Sequence, residues 1–185
     1  MPNWWPSLEW VALPFTAVDL ANPKLLGCRW PGGVTNLSQL WDLLAEKRSG
    51  YQDFKGSDRI NPDGFYHPNG QRSGCAPTQG AYLLQEDPKL FDHSFFGMTA
   101  PEATVIDPQQ RKILEVVYEA FENSGEPWDN FYGSKTGVFV GNFNFDHSIM
   151  QSRDIDDASP YSATGTSVSI ISNRINYALN LQGPR

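Results

Sequence analysis

The longest run of regularly spaced apolar positions lies between Asp107 and Gly125. The stripe recurs at helical spacing at Ile113, Val116, Val117, Ala120 and Phe121, and Leu114 and Tyr118 widen it. Asp107 and Pro108 predict a helix start, because aspartate accepts from the first free amides and proline at the first helical position loses no bond. We expect Gln110 to reach back and complete a capping box. The pattern predicts a helix over 108–123, ended by the sequence Asn-Ser-Gly and enclosed on more than one side.

A second, shorter helix is predicted after Asn36. Asn36 is a capping residue, and Gln39 three positions later completes the pattern of a capping box. The apolar positions follow helical spacing at Leu37, Leu40, Trp41 and Leu44. We expect Lys47 and Arg48 in the last turn and Gly50 as the residue that ends the helix.

Three further elements are predicted in the last third of the chain. The stretch TGVFVG at 136–141 is an apolar run between glycines and indicates a buried central strand. Residues 145–153 are compatible with a helix. Residues 166–179 show a helical pattern with Val168, Ile171, Ile175 and Ala178 on one face. Helices around a single convincing strand predict layered α/β architecture with an incomplete sheet.

The remaining segments lack periodicity. Residues 1–26 form a divergent leader in which tryptophans and prolines crowd together, and we expect this leader to be poorly ordered rather than a sugar-stacking platform. Residues 50–101 are rich in turn residues and carry scattered aromatic side chains. A long irregular excursion of this kind is usually functional or packs on a partner surface.

Composition excludes several classes of function. The chain has 39% hydrophobic and 19% charged residues, which is typical of a globular protein, and its net charge is −7. A surplus of acidic residues disfavours nucleic acid and anionic membranes as partners. Apolar runs are too short to span a membrane, and the N-terminus lacks the pattern of a signal peptide. Two cysteines without metal-ligand spacing indicate free thiols in a reducing compartment, so we expect a cytoplasmic, soluble chain.

The reactive side chains do not form a catalytic motif. Cys28 and Cys75, with His67, His93 and His147, could in principle supply a thiol and a base. Neither cysteine stands at a predicted helix N-terminus, so we expect structural thiols, and we expect surface or cap-associated histidines.

Acidic and glycine-rich segments also predict no site. Asp154, Asp156 and Asp157 are expected to form a solvated acidic loop rather than a calcium or acid–base site. No glycine-rich segment has the lysine and hydroxyl spacing of a phosphate loop. We therefore assign no catalytic, cofactor-binding or metal-binding residue from the sequence.

Residues 91–125, FDHSFFGMTAPEATVIDPQQRKILEVVYEAFENSG, resemble the ketosynthase domain of type I polyketide and fatty acid synthases. The matching positions are Phe91, Asp92, Phe95, Phe96, Gly97, Glu102, Ala103, Asp107 to Arg111, Leu114, Glu115, Glu119, Ala120 and Gly125. Further similarity lies at 27–33, 40–44, 63–69, 136–147, 161–165 and 172–184. The resemblance covers about 27–184 and is greatest to the highly reducing iterative synthases of fungi.

The resemblance implies a thiolase fold, in which helices lie between two sheets, and pairing into homodimers. It implies decarboxylative Claisen condensation of acyl and malonyl groups carried by phosphopantetheine on an acyl carrier protein. In this family a cysteine accepts the acyl group, and two histidines assist decarboxylation and condensation. A thiolate at a helix N-terminus carries the chain, while imidazole donors stabilise the enolate oxygen.

The sequence departs from the family pattern at both ends. The first strand should occupy Asp19 to Leu26, where a proline and few β-branched residues occur. The nucleophile should follow Gly183 and Pro184, and only Arg185 does. We therefore expect residues 27–185 to be a truncated ketosynthase N-terminal region with an incomplete thiolase-like α/β fold, inactive alone and loosely packed. The alternatives are a non-catalytic fragment that associates with a full-length synthase, and a pseudogene or gene-model remnant.

Overall fold

The computed structural model describes residues 15–18, 26–53, 62–64, 66–154, 156 and 158–185. The chain divides into two compact units. One contains Arg29–Glu86, and the other contains Phe15–Cys28 and Asp87–Arg185. Most of the predicted leader, 1–26, lies outside the described residues.

The first unit combines a helix with a short antiparallel pair of strands. Its elements are α1 (Leu37–Ala45), β3 (Tyr51–Asp53), a 3-10 turn (Pro62–Gly64) and β4 (Gly80–Tyr82). In the pairing of β3 with β4, Tyr51 lies opposite Tyr82 and Asp53 opposite Gly80. A Cβ at Gly80 would lie 2.2 Å from the carbonyl oxygen of Gln52, so only glycine fits there. These strands fall in the segment that the sequence predicted to be irregular.

Helix α1 confirms its predicted cap and differs in its end. The Asn36 side chain accepts from the amide of Gln39 at 3.0 Å. Gln39 does not close a capping box, because its side-chain oxygen accepts from the amide of Thr35 at 2.8 Å. Lys47 and Arg48 lie beyond the last turn, and Lys47 rather than Gly50 takes a left-handed conformation after the helix, with φ of 54°. The prediction for these cations was therefore wrong.

The predicted apolar face of α1 is not buried. Leu37, Trp41 and Leu44 each remain more than half exposed, and Trp41 is 71% exposed. The sequence pattern therefore predicted the apolar face of α1 correctly in its spacing, but the described residues of the first unit do not cover that face.

The second unit contains two short strands and six helices among its described residues. Its elements are β1 (Phe15–Val18), β2 (Leu26–Arg29, which ends one residue into the other unit), α2 (Ala100–Val105), α3 (Pro108–Ser124), α4 (Trp128–Phe131), α5 (Asp146–Gln151), α6 (Ser162–Thr166) and α7 (Ile170–Ala178). Strands β1 and β2 form a two-stranded sheet. Helix α5 confirms the helix predicted within 145–153. The pattern at 166–179 yields α7 alone, and Val168 lies outside it, exposed. The sequence did not predict α2.

Helix α3 begins and ends where the sequence predicted. The Asp107 carboxylate accepts from the amide of Gln109 at 2.8 Å, and Pro108 takes the first helical position. Gly125 follows the last turn in the left-handed conformation, with φ of 73°, which glycine adopts without a Cβ penalty. The predicted capping box is wrong, because Gln110 turns its side chain away to partners more than fifty residues along the chain.

Helix α3 is buried on two sides, as the width of its stripe predicted. On one side, a Cβ at Gly27 of β2 would lie 2.3 Å from the carbonyl oxygen of Val116, so the strand and helix backbones touch. On the other side, Leu114 and Phe121 pack with Ile175 of α7. The core cluster comprises Leu114, Ala120, Phe121, Ile175, Leu179 and Leu181. Trp128 and Phe131 of α4 complete it through ring contacts with Phe121 at 5.8 and 4.2 Å.

The predicted strand at 136–141 is extended but forms no regular strand. Exposure alternates along 134–145, with even-numbered positions turned inward. The amide of Gln182 donates to the carbonyl of Ser134 at 2.7 Å, and the amide of Val138 donates to that of Pro184 at 2.9 Å. These two bonds begin a parallel ladder. Pro184 has no N–H and so cannot donate a further bond to the segment. The two bonds therefore do not extend into a regular sheet.

Candidate functional site

The N-terminus of α3 is the most strongly organised polar region of the second unit. Asp107 is buried, and its own amide donates to the carbonyl of Gly165 at 2.8 Å. Burial raises the pKa of the Asp107 carboxyl above its ordinary value, while the amide of Gln109 and the charges of His147 and Arg111 oppose this shift. The carboxylate therefore caps α3 in a partly desolvated position, where an unpaired charge is unfavourable.

Arg174 of α7 joins the N-terminal ends of two other helices. Its Nε donates to Gln110 Oε1 at 2.8 Å, and one of its terminal nitrogens donates to Glu102 Oε1 at 2.8 Å. The Arg174 side chain is 9% exposed and the Glu102 side chain 23%. A guanidinium presents its donors in a fixed fork, so this pairing constrains direction as well as distance.

Gln110 extends the same network to α6. Its amide nitrogen donates to the carbonyls of Thr164 and Ser167, each at 3.3 Å, while its oxygen receives the bond from Arg174. A second terminal nitrogen of Arg174 also donates to the carbonyl of Thr164 at 3.4 Å. Helices α2, α3, α6 and α7 are thus tied together by one buried polar cluster. We call Glu102, Gln110 and Arg174 the arginine network.

His147 and Gln151 attach α5 to the end of α2. His147 Nε2 and Gln151 Nε2 lie 3.0 and 2.7 Å from the carbonyl oxygen of Val105, and 2.9 Å from each other. The imidazole tautomer decides whether Nε2 donates to this carbonyl or accepts from the Gln151 amide. Nδ1 is buried and has no hydrogen-bond partner among the described residues. The His147 and Gln151 side chains thus hold α5 against the end of α2.

Gln109 links the start of α3 to residues 134–145, which we call the extended segment. Its side-chain oxygen accepts from Asn142 at 2.6 Å, and its amide donates to the carbonyl of Asn144 at 3.4 Å. The side-chain oxygens of Asn142 and Gln151 are buried without a hydrogen-bond partner in the described part of the chain. The inward side of the extended segment is therefore bonded to α3 through Asn142. The side-chain oxygen of Asn142 accepts no hydrogen bond there.

The hydrogen bonds of His67 and His93 go to nearby backbone groups. His93 Nδ1 lies 2.9 Å from the carbonyl of Met98, and His67 Nδ1 accepts from the amide of Asn69 at 3.1 Å. Neither cysteine forms a disulfide; Cys28 is buried and Cys75 half-buried. The hydrogen bonds of the three histidines go to backbone groups and, for His147, to Gln151.

The acidic loop is solvated, as expected. Asp154 and Asp156 are exposed, and the Asp154 carboxylate accepts from the amide of Asp156 at 2.9 Å. Asp157 lies outside the described residues. Across the described ranges, no three His, Cys, Asp or Glu side chains are grouped closely enough to hold a metal ion. None of the described helices is long and apolar enough to cross a membrane.

Sequence reasoning missed the arginine network. One signal was present: Arg174 follows Ile171 by three positions and precedes Ile175, so it stands on the apolar face of α7. A cation on a buried face requires polar partners. The sequence alone did not say that those partners are Glu102 and Gln110.

A second feature is the outward side of the extended segment. Phe139 is 83% exposed and Phe143 is 88% exposed, and Phe145 is also exposed. Across this side Gly141 adds no side chain, and a Cβ there would meet nothing within 4 Å. We call Phe139, Phe143 and Phe145 the phenylalanine face. It is apolar, uncharged and open among the described residues.

Comparisons with known proteins identify the family of this chain. A family model described as "Beta-ketoacyl synthase, N-terminal domain" matches residues 26–185. The chain is 60% identical over 159 residues to prosolanapyrone synthase of Alternaria solani, and 52% identical over 159 residues to the highly reducing polyketide synthase virA of Hypocrea virens. Each match covers 86% of this chain but only 6% and 7% of the respective relative.

Solved structures show the same fold. The oxazolomycin ketosynthase domain OzmH KS7 of Streptomyces albus JA3453 matches with a TM-score of 0.72 at 29% identity, and covers 84% of this chain and 26% of its own. The module 6 ketosynthase of the Bacillus subtilis bacillaene synthase matches with a TM-score of 0.67 at 30% identity, over 84% of this chain and 24% of its own. The chain thus has an α/β fold that corresponds to the N-terminal part of a thiolase-like domain.

Proposed function

Since the chain belongs to the beta-ketoacyl synthase family, by a match over residues 26–185, we propose that it is the N-terminal part of a polyketide synthase ketosynthase. The complete domain would catalyse decarboxylative Claisen condensation. Carbon dioxide leaves a malonyl thioester, the resulting enolate carbon attacks an acyl thioester, and the enzyme thiolate departs. The acyl and malonyl groups would arrive on the phosphopantetheine of an acyl carrier protein. The 60% identity to prosolanapyrone synthase is the observation that carries this proposal.

The role of this chain in that reaction is structural support. The arginine network and the Asp107 cap hold α2, α3, α6 and α7 in one arrangement. Catalytic geometry depends on a framework that holds reacting groups to within a fraction of an ångström. We assign the nucleophilic cysteine and both catalytic histidines to parts of the domain outside these 185 residues.

A chimaeric synthase tests the family role directly. Residues 27–185 would replace the corresponding part of the ketosynthase of prosolanapyrone synthase, and condensation would be measured as product formed per enzyme. We expect the chimaera to retain condensation activity. An inactive chimaera that is folded and dimeric would overturn the proposal, because the segment would then fail in a synthase that it matches at 60% identity.

A labelling experiment tests whether the chain has activity alone. The purified chain would be incubated with a radiolabelled acyl thioester, beside the variant Cys28→Ala/Cys75→Ala. We expect no covalent label on either protein, because the proposal assigns the acyl-accepting cysteine to a part of the domain outside these residues. If label appears on the chain and is absent from the double variant, Cys28 or Cys75 acts as a nucleophile, and the expectation is wrong.

A second candidate is a non-catalytic fragment that binds a full-length synthase. Tyr177 of helix α7 is 87% exposed and would be available for contact with such a partner. A homodimeric synthase would then accept this chain in place of one of its own subunits. Co-purification of a tagged chain with the synthase supports this function, and a chain that elutes alone counts against it. Two cysteines without a disulfide between them also favour a cytoplasmic location for either function.

A further inference from the structure

The dipeptide Asn69-Gly70 lies in an exposed loop of the first unit. Of the twelve asparagines in the chain, Asn69 is the one that a glycine follows. Both residues are exposed. The loop is closed at its base, where the amide of His67 donates to the carbonyl oxygen of Ala76 at 3.0 Å. Asparagine is a chemically labile residue, and here its carboxamide meets water beside a residue that has no side chain.

Three hydrogen bonds hold Asn69 in a tight turn. Its backbone carbonyl accepts from the amide of Arg72 at 3.1 Å, which is the bond of a β-turn with Gly70 and Gln71 at its centre. Its side-chain oxygen accepts from the amide of Gln71 at 3.0 Å, and its own amide donates to His67 Nδ1 at 3.1 Å. A side chain that bonds two residues ahead folds back over the peptide between them. The carboxamide of Asn69 is therefore folded over the Gly70 peptide.

The same turn prepares the carboxamide for attack by the nitrogen of Gly70. The amide of Gln71 points at the Asn69 side-chain oxygen, where negative charge develops when a nucleophile adds to the carboxamide carbon. A donor already in that position stabilises the charge. Among the described residues, none accepts a hydrogen bond from the nitrogen of Gly70. Glycine also has no Cβ to obstruct the approach of that nitrogen.

Asn144 provides a comparison within the same molecule. Its side-chain oxygen also accepts from the amide two residues ahead, that of Asp146, at 3.2 Å. The residue between them is Phe145 rather than glycine, and Asn144 is half-buried. The hydrogen-bonded turn thus occurs at both asparagines, whereas the unobstructed nitrogen and the full exposure to water occur at Asn69.

We propose that Asn69 is a site of spontaneous deamidation, through attack of the Gly70 nitrogen on its side chain. The Gly70 nitrogen loses its proton to hydroxide, and its electron pair bonds to the carboxamide carbon of Asn69. The side-chain nitrogen takes up a proton from water and leaves as ammonia. The cyclic succinimide then adds a water molecule and opens to aspartate or isoaspartate. Water is the only co-reactant, and the inference does not depend on the ketosynthase role.

The products change the charge and the backbone of the loop. Aspartate adds one negative charge to a chain whose net charge is −7, and it keeps an oxygen that accepts from the amide of Gln71. Isoaspartate continues the chain through its former side-chain carbon, which lengthens the backbone. The β-turn closed by the amide of Arg72 cannot then form in its present geometry.

Mass spectrometry of the aged chain tests the proposal. The purified, folded chain would be incubated over a series of pH values from neutral to mildly alkaline. After digestion, the converted fraction would be measured at each asparagine, and isoaspartate would be identified by enzymatic methylation. We expect conversion at Asn69 to exceed conversion at Asn144 by at least about tenfold, because glycine leaves the attacking nitrogen unobstructed. Conversion should rise with pH, since that nitrogen must first lose its proton.

Gly70→Ala is the variant that isolates the role of the glycine. Gly70 is not in the left-handed conformation, and a Cβ there would lie 3.4 Å from Pro77 Cβ, so alanine fits the turn. We expect this variant to slow conversion at Asn69 by at least about fivefold, because the methyl group crowds the nitrogen. Gly141→Ala is the matched control, since its Cβ meets nothing within 4 Å, and it should leave conversion at Asn69 unchanged.

The results that would overturn the proposal are distinct. Conversion at Asn69 no faster than at Asn144 would do so, as would conversion that Gly70→Ala leaves unchanged while circular dichroism shows the variant folded. Conversion seen only after the chain is unfolded in guanidinium would also overturn it, because the folded turn would then protect Asn69. A condensation-active chimaera whose Asn69 stays intact would reject this inference alone and leave the family role standing.

Discussion

Arg174 and Gln110 lie 64 positions apart in the chain and are joined by a hydrogen bond of 2.8 Å between Nε and Oε1, both buried. The same guanidinium pairs with Glu102, so a cation on the apolar face of α7 is neutralised by α2 and oriented by α3. A buried charge that loses its partners is strongly unfavourable, which makes this contact the most consequential polar interaction in the second unit.

Replacing Arg174 should therefore destabilise the chain severely. We expect Arg174→Met to lower the free energy of unfolding by about 3–5 kcal/mol, because Glu102 is left as a largely buried carboxylate and Gln110 loses a partner. Urea unfolding followed by circular dichroism measures the change.

The matched control is the ion pair of Arg48 with Glu46. Its nitrogen and oxygen lie 2.6 Å apart, yet both side chains are more than half exposed. Arg48→Met should change the free energy of unfolding by less than about 1 kcal/mol. Similar decreases in the free energy of unfolding for Arg174→Met and Arg48→Met would show that burial does not make the Arg174 interactions stronger.

Gly27 should not tolerate a side chain. A Cβ there would lie 2.3 Å from the carbonyl oxygen of Val116 and 3.2 Å from the amide nitrogen of Ala120. Both are backbone atoms that cannot rotate away, so Gly27→Ala should cost about 1–3 kcal/mol of stability by forcing β2 away from α3. Gly141→Ala is the control, because its Cβ meets nothing within 4 Å, and thermal unfolding should place it within about 0.5 kcal/mol of the unmodified chain.

The stability of the chain should depend on pH through Asp107. Burial raises its pKa above the ordinary value of 3.8, so the folded state binds a proton more tightly than the unfolded state does. The contribution of this carboxyl is therefore most favourable at low pH, and stability is lost as pH rises from about the ordinary pKa through the raised one.

Asp107→Asn isolates that contribution. Asparagine keeps an oxygen for the amide of Gln109 but has no charge to desolvate. We expect this variant to be at least as stable as the unmodified chain at neutral pH and to show a flatter pH dependence above the ordinary pKa of the carboxyl in urea titrations. Asp107→Ala should show an equally flat pH dependence but be about 1 kcal/mol less stable than Asp107→Asn, because the cap itself is gone. An asparagine variant as unstable as the alanine variant at pH 7 would show that the charge matters more than its burial.

The phenylalanine face should give the isolated chain an exposed apolar surface that binds hydrophobic dyes and lowers solubility. We expect the unmodified chain to bind the dye ANS and to have low solubility, since two rings are more than 80% exposed on one apolar side. Phe139→Ser/Phe143→Ser should reduce dye fluorescence while changing the free energy of unfolding by less than about 0.5 kcal/mol per site. Unchanged fluorescence would mean that the dye binds elsewhere.

Much of the local structure was predictable because its causes are local. Helix α3 has its cap, its proline and its terminal glycine between Asp107 and Gly125, and its bounds followed the sequence closely. The Asn36 cap of α1 was predictable for the same reason, since its partner is three positions away. The short strands β3 and β4 were not, because each has three residues and depends on a partner about thirty positions away.

The sequence by itself determined the family, the position of α3 and the need of that helix for cover on more than one side, because periodicity, caps and matching motifs are properties of neighbouring residues. Only the tertiary structure decided that Gln110 serves Arg174 rather than its own cap, that Gly27 meets Val116, and that Phe139 and Phe143 share a bare face. The first two are contacts between residues dozens of positions apart, and all three depend on burial, which a linear pattern does not contain.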